Sequence, residues 1–200
     1  MDKAEALAQV LEKIKTDLAC PLKDAATNIV LGKGNPDAPI LFIGEAPGEK
    51  EDLAGVPFVG RAGVELDKLL SSIGLTLEEC YVANILKCRP PKNRDPTVEE
   101  IRAHTPYLIE QIQIINPKVI CTLGNYSTKF VLAGFDVDGM KNIEGITKLH
   151  GVAKEVEVDG STYTVVPLYH PAAMLYRPQL REVLVSDFIK IKGMLDEARQ

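Results

Sequence analysis

The chain has 200 residues, of which 46% are hydrophobic and 26% charged, and its formal net charge is −5. This length and composition are typical of a globular protein, and we expect one domain over residues 1–200. The longest apolar runs are strand-sized, whereas a membrane helix needs roughly 20 apolar residues. The charged opening residues predict no signal peptide, and an acidic chain is a poor candidate for coating nucleic acid through bulk charge. We therefore expect a cytoplasmic protein that has no contact with membranes. A monomer is our working prediction, which the composition does not decide.

Helical periodicity and short apolar runs alternate along the sequence. In chain order the predicted elements are a helix over 3–18, a strand over 39–44, a helix over 62–73, a strand over 80–86, a helix over 97–114, a strand over 118–124, a short helix over 129–132 capped by Asn125, a strand over 163–169 and a helix over 178–198. Strands that alternate with helices predict an α/β protein, in which a parallel sheet lies between two layers of helices.

Two segments carry more specific signals. Thr97 and Glu100 have the spacing of a capping box that opens a helix, and Pro106 should kink or interrupt that helix. The glycine-rich, charged segment 136–159 predicts a loop, with an antiparallel hairpin between 152–158 and the strand that starts near Tyr163.

Polar, turn-rich segments follow three of the predicted strands. They are Gly44 to Gly48, Lys87 to Asp95, and His170 to Ala173. In open α/β sheets, ligands bind beyond the carboxyl ends of the strands. The convergence of these segments on one edge therefore predicts an active site there.

Together these segments resemble the family 4 uracil-DNA glycosylases. The motifs that carry the resemblance are Gly44-Glu45-Ala46-Pro47-Gly48, Pro57-Phe58-Val59-Gly60-Arg61-Ala62-Gly63, Asn84, Lys87-Cys88-Arg89-Pro90-Pro91, Asn93-Arg94-Asp95-Pro96 and His170-Pro171-Ala172-Ala173. The resemblance covers about residues 17–195. It implies a three-layer α/β/α sandwich with a four-stranded parallel sheet. It also implies hydrolysis of the N-glycosidic bond of deoxyuridine in single- and double-stranded DNA, the first step of base-excision repair.

The resemblance assigns a uracil pocket to two side chains and a glycine turn. Phe58 is the stacking surface for the base. Asn84 carries one acceptor and one donor group, which can pair with uracil N3–H and O4. The backbone at Gly44, Ala46 and Gly48 can approach the base closely. On the residues alone, Phe58 could instead be a core side chain and Asn84 the end of a strand.

The resemblance places His170 at the leaving group. Departure of uracil develops negative charge on its O2 atom, and a donor there stabilises the transition state more than the ground state. The sequence does not fix the protonation state of His170. Better-known members of the superfamily use an aspartate to place the attacking water, where this chain has Ala46. Glu45 is the nearest carboxylate, and we assign it water positioning or electrostatic support.

Two further groups are candidates for contact with DNA. Phosphate contacts are predicted for a basic cluster formed by Lys87, Arg89, Lys92 and Arg94. By resemblance, the loop after the histidine enters the minor groove, and its residues are Met174, Leu175, Tyr176 and Arg177. Apolar wedges suit that task, although the same loop could simply pack on the last helix and the basic cluster could be solvated surface.

Family 4 enzymes typically hold a four-iron, four-sulfur cluster with four cysteines. This chain has Asp17, Cys20, Cys88 and His104 at those positions, so two of the four thiolates are replaced. Carboxylate and imidazole can also bind metals. We expect a retained 4Fe-4S cluster with a structural role, with zinc or no metal as the alternatives.

Two rival functions stay open at this point. The first is a uracil-DNA binding protein that either does not turn over or traps its substrate covalently. A related branch does the latter through a basic insertion after the Gly60 to Gly63 segment, which this chain lacks. The second is a nucleotide-binding module that uses Gly44 to Gly48 as a phosphate loop, but no GxxxxGK[ST] motif is present.

Gly48 replaces a bulky ring found in some relatives, and we expect that thymine is nevertheless not processed.

Overall fold

The computed structural model describes residues 2–197, which form a six-stranded sheet with helices on both faces. The strands are β1 (Lys33–Gly34), β2 (Ile40–Gly44), β3 (Cys80–Asn84), β4 (Val119–Leu123), β5 (Lys154–Val158) and β6 (Ser161–Leu168). Their order across the sheet is β1-β3-β2-β4-β6-β5. The central four strands, β3, β2, β4 and β6, are parallel to one another, as predicted, and one antiparallel strand is added at each edge.

Eight α-helices lie within the described residues. They are α1 (Lys3–Asp17), α2 (Pro21–Ala25), α3 (Glu49–Ala54), α4 (Arg61–Ser72), α5 (Val98–Ile115), α6 (Asn125–Leu132), α7 (Ile146–Leu149) and α8 (Leu180–Glu197). No helix among residues 2–197 is both long and apolar enough to cross a membrane.

The sheet separates two hydrophobic cores, which confirms the three-layer architecture. Every residue of β2, β3 and β4 is buried, because both faces of a parallel sheet are covered. Alternate residues of β2 point to opposite faces. Leu41 and Ile43 join the core under α1, α5 and α6, whereas Ile40 and Phe42 join the core under α4 and α8.

Two local predictions fail for identifiable reasons. Helix α5 opens with the predicted capping box between Thr97 and Glu100, but it continues through Pro106. Tertiary packing sustains it there, since Ile101 and Leu108 on either side of the proline are fully buried. Asn125 is not a cap: Gly124 precedes α6, and the side-chain oxygen of Asn125 instead accepts from the backbone N–H of Ile146.

The segment predicted as a loop with a hairpin is more structured than expected. A 3₁₀ turn over Asp138–Asn142 and helix α7 precede β5. The predicted antiparallel pairing of β5 with β6 is confirmed. The connecting residues Asp159 and Gly160 both have positive φ, 45° and 78°, which is the conformation that a tight hairpin turn requires.

Candidate active site

The three predicted loop segments meet at the carboxyl end of the parallel strands and enclose a cavity of roughly 460 Å³. Side chains from all three segments and from the Phe58 loop line it: Glu45, Ala46, Pro47, Gly48, Glu51, Phe58, Ala62, Asn84, Pro90, Asn93, Arg94, His170 and Ala172. Phe58, Asn84 and His170 therefore face the same space, which is large enough to hold a nucleobase.

Phe58 is a preset aromatic surface. Its ring lies near-parallel to that of His170, with centroids 5.9 Å apart and an interplanar angle of 26°. Its backbone has a φ of 53°, which is costly for a bulky residue and persists only where the surroundings enforce it. Glu51 Oε1 accepts from the next two backbone N–H groups, at 3.0 and 2.8 Å, and Lys33 Nζ donates to the Phe58 carbonyl at 2.9 Å.

Asn84 and Gly44 end neighbouring parallel strands in register. Only 3% of Asn84 is exposed, so its amide is presented in a largely dry setting. A Cβ atom on Gly44 would overlap Asn84 Oδ1 and would lie 3.0 Å from Phe58 Cζ. The glycine thus leaves the space in which the amide and the aromatic ring come together.

The structure fixes the tautomer of His170, which the sequence left open. His170 Nδ1 accepts from the backbone N–H of Ala172 at 3.2 Å, so in the neutral ring the proton resides on Nε2. Burial lowers the pKa of His170 to about 4. The side chain is therefore a neutral N–H donor at pH 7. Gly124, with a φ of 96°, leaves room for it, because a Cβ there would lie 3.2 Å from His170 Cβ.

Glu45 is a partly buried carboxylate in the wall of the same cavity. Burial raises the pKa of Glu45, and the nearby negative charge of Asp95 raises it further. Carboxylates with raised pKa in clefts are typical of functional sites.

The predicted phosphate contacts divide into exposed and buried groups. Lys92 and Arg94 are exposed, and Arg94 also forms an ion pair with Glu100 at 2.6 Å. Arg89 is partly exposed and donates to Asn93. The prediction for Lys87 is wrong: its side chain is fully buried and cannot reach a phosphate.

The loop after His170 divides in the same way. Tyr176 is 80% exposed, Arg177 is exposed and Leu175 is partly buried. Met174 is only 4% exposed and belongs to the core under α4 and α8. The prediction of Met174 as a groove-filling residue is therefore wrong, because its side chain is already used in packing.

The predicted metal ligands Asp17, Cys20, Cys88 and His104 do not form a ready-made site. No group of three or more His, Cys, Asp or Glu side chains within residues 2–197 could hold a metal ion. Cys88 and His104 are fully buried, and only 7% of Cys20 is exposed. Asp17, in contrast, is exposed.

His104 is engaged elsewhere. Its Nδ1 accepts from the backbone N–H of Lys87 at 3.0 Å, and burial lowers its pKa to about 3. The proton of the neutral ring is therefore on Nε2, which has no hydrogen-bond partner among the described residues. A metal at Nε2 would have to displace that proton while Nδ1 still accepts from Lys87, which would leave the ring as an imidazolate. In this arrangement the four residues do not fit an iron–sulfur cluster or a zinc ion.

The sequence reasoning assigned no role to several residues that shape the cavity. Glu51 lies three residues after the Gly44 to Gly48 motif, and this position was the available signal. Lys33 and Gly124 gave no local signal, because their partners lie 25 and 46 residues away along the chain.

Comparison with known proteins agrees with the geometry. Residues 31–190 match the sequence model of the Uracil DNA glycosylase superfamily. A type-4 uracil-DNA glycosylase of Archaeoglobus fulgidus is 47% identical over 94% of this chain and 92% of its own length. One from Thermotoga maritima is 42% identical over 96% of both chains. A type-5 uracil-DNA glycosylase of Thermus thermophilus is 34% identical, over only 53% of this chain. With its cavity at the sheet's carboxyl edge and these relatives along nearly its whole length, the chain belongs to the uracil-DNA glycosylase superfamily and, within it, to the type-4 group.

Proposed function

We propose that this chain is a monofunctional uracil-DNA glycosylase, which hydrolyses the N-glycosidic bond between uracil and deoxyribose in DNA. The observation that carries the proposal is the single cavity shared by Phe58, Asn84 and a neutral His170. The relatives that cover most of the chain bear the name of this activity.

Substrate recognition starts with a base turned out of the DNA stack, because an enzyme cannot reach the glycosidic bond of a stacked base. The Phe58 ring offers the extruded pyrimidine a stacking surface. The Asn84 amide matches the N3–H and O4 pair of uracil. Cytosine presents the reverse pattern and leaves buried polar groups unpaired, which costs about 1–3 kcal/mol per group.

His170 assists departure of the base. Its Nε2–H is free to donate to uracil O2, where negative charge accumulates as the glycosidic bond breaks. The hydrogen bond strengthens as the charge develops and thus lowers the barrier. A neutral ring donates without giving up its proton, so uracil leaves as an anion.

We assign Glu45 to the deoxyribose, on the other side of the glycosidic bond from His170. An ionised carboxylate attracts the positive charge that develops on the sugar, and it can orient a water molecule toward C1′. Ala46 beside it has no group for this task.

The DNA itself is held outside the cavity. We assign phosphate contacts to Arg89, Lys92, Arg94 and Arg177, which are exposed or partly exposed. We assign the gap that the flipped base leaves to Tyr176, which is 80% exposed. We propose uracil in both single- and double-stranded DNA as substrate, and we expect thymine in T:G pairs to be left in place.

An excision assay tests the activity. Labelled single strands and duplexes that contain one uracil are incubated with the protein, and abasic sites are then cleaved with alkali. We expect cleavage by the wild type and a loss of about 10²–10³-fold in the single-turnover rate of His170→Ala. His150→Ala, at a histidine outside the cavity, is the control for loss of an imidazole.

The same assay separates the rival functions. Tight binding of uracil-containing DNA without strand cleavage would indicate a binding protein, and an adduct that survives denaturation would indicate covalent trapping. Release of thymine from T:G pairs would contradict the proposed specificity.

We also propose that excision by this chain does not depend on an iron–sulfur cluster. Two observations support this: His104 Nδ1 already accepts from the Lys87 N–H, and no group of three or more potential ligands lies together within residues 2–197. Visible absorption, iron and zinc analysis and excision should be measured on one preparation purified without oxygen. Stoichiometric iron, together with loss of excision when the iron is removed, would contradict the proposal.

A further inference from the structure

Lys87 is a buried lysine that lies outside the cavity wall. It is fully buried, although a lysine is almost never buried without partners. Its Nζ donates to the backbone oxygen of Asn84 at 2.7 Å and also to Gln111 Oε1. Gln111 in turn donates to the carbonyl of Leu31 at 3.1 Å. The amine therefore connects the end of β3 to α5 and, through Gln111, to the segment before β1.

The backbone of Lys87 is held as firmly as its side chain. Its N–H donates to His104 Nδ1 on α5 at 3.0 Å, and its carbonyl accepts from the N–H of Val30 at 2.7 Å. The two residues before it donate to the backbone oxygens of Gly44 and Glu45, both at 3.0 Å. The turn that follows β3 is thus tied to α5, to β2 and to the segment before β1.

We propose that Lys87 is a positioning residue for base recognition: its buried amine fixes the end of β3 so that the Asn84 amide presents its acceptor and donor to uracil in the correct orientation. This inference rests on the proposed function and adds to it a residue that makes no contact with the substrate.

Orientation matters here because Asn84 carries the discrimination. A side-chain amide turned by half a revolution exchanges its acceptor and donor, and would then match cytosine and not uracil. The amide lies directly against Gly44, so a small shift of its backbone changes what the cavity presents. The Lys87 amine donates to the carbonyl of Asn84 itself and so restrains that backbone directly.

A role in packing alone would not account for a lysine at this position. Burying an amine costs free energy that hydrogen bonds only partly return, and a well-packed apolar side chain of similar volume is often as stable or more stable. What an apolar side chain cannot do is bind a carbonyl oxygen. The two acceptors at Lys87 Nζ are therefore the feature that requires explanation.

The test compares Lys87→Met with the wild type, since methionine fills similar space without a donor. We expect the single-turnover excision rate at saturating enzyme to fall by about 10- to 100-fold. The preference for uracil over cytosine should narrow, whereas the affinity for abasic product DNA should be unchanged. Lys87→Gln keeps a shorter donor and should recover part of the rate. Ile112→Ala, a buried cavity mutation on α5, controls for loss of stability.

The outcomes separate this inference from the proposed function. A Lys87→Met excision rate within twofold of wild type, or a loss confined to DNA affinity, would overturn the positioning role. If the wild type itself releases no uracil, the proposed function fails. The positioning role of Lys87 is then tested by the binding of single-stranded DNA. The preference for uracil- over cytosine-containing single strands should narrow in Lys87→Met if Lys87 positions Asn84, and should not change if it does not. If Lys87→Met does not fold, Gln111→Met serves in its place, because it removes one acceptor of the amine. We expect Gln111→Met to narrow the preference for uracil over cytosine by a smaller factor. An unchanged preference would overturn the positioning role.

Discussion

Two side chains with oppositely shifted pKa values face the cavity. The pKa of Glu45 is raised by burial and by Asp95, and that of His170 is lowered by burial to about 4. Excision as proposed needs Glu45 ionised and His170 neutral. Both forms are present at neutral pH, and both are lost as the pH falls.

We therefore expect the single-turnover rate to be level around pH 7 and to decline on the acid side, starting above the ordinary glutamate pKa of 4.5. Glu45→Gln should lower the neutral rate by about 10²-fold or more and should move the decline to lower pH, toward the His170 value. The measurement is a pH profile of both proteins under single turnover. If the rate of Glu45→Gln declined at the same acid pH as the rate of the wild type, Glu45 would have no part in the mechanism.

Single residues show where sequence reasoning reaches its limit. Phe58, Asn84 and His170 could be found because short motifs carry them, and the cavity brings them together. The burial of Lys87 could not be found, because it sits among polar loop residues and its partner Gln111 is 24 residues further along. Likewise, nothing local distinguishes buried Met174 from exposed Tyr176.

At the scale of elements, helix α3 holds the loop that carries Phe58. Glu51, in its first turn, accepts from the two N–H groups that follow Phe58 and so holds the Phe58 backbone in its left-handed conformation. The motif that contains Phe58 is visible in the sequence, but the contact depends on how α3 and the Phe58 loop face each other.

Glu51→Ala should release the Phe58 loop and raise KM for uracil-containing DNA by about tenfold, which corresponds to about 1.4 kcal/mol of lost binding, because the pocket would then have to be ordered on binding. Glu51→Gln keeps an acceptor, and its KM should lie between those of the wild type and Glu51→Ala. Steady-state kinetics on a uracil-containing single strand measure this, with Glu182→Ala, an exposed carboxylate on α8, as the control. An unchanged KM for Glu51→Ala would show that the loop holds its shape without the carboxylate.

Element boundaries were predicted to within a few residues wherever burial dictates the pattern, as in the four parallel strands. The misses have physical causes. Strand β1 has only two residues, too few to show a period, and Pro106 was outweighed by the packing of α5.

Across the whole molecule, the sheet is shared by two cores. Phe42 on β2 stacks on Phe188 of α8, with centroids 5.8 Å apart and an angle of 15°, whereas its strand neighbours Leu41 and Ile43 pack on the other face. Because each central strand serves both cores, loss of one core should unfold the other.

Phe188→Ala should therefore lower the free energy of unfolding by about 3–5 kcal/mol while the transition stays single. Urea denaturation followed by circular dichroism and by excision activity would measure this, with Phe188→Leu as a milder companion. Two separated transitions, or loss of activity well before loss of helix signal, would show that the faces unfold independently.

The two borders of the sheet have a consequence for behaviour at high concentration. β1 offers only two residues to an incoming strand, and β5 carries exposed Lys154, Glu155 and Glu157. Short or charged border strands are poor templates for pairing with another chain. A purified sample should accordingly resist the edge-to-edge aggregation to which open sheets are prone.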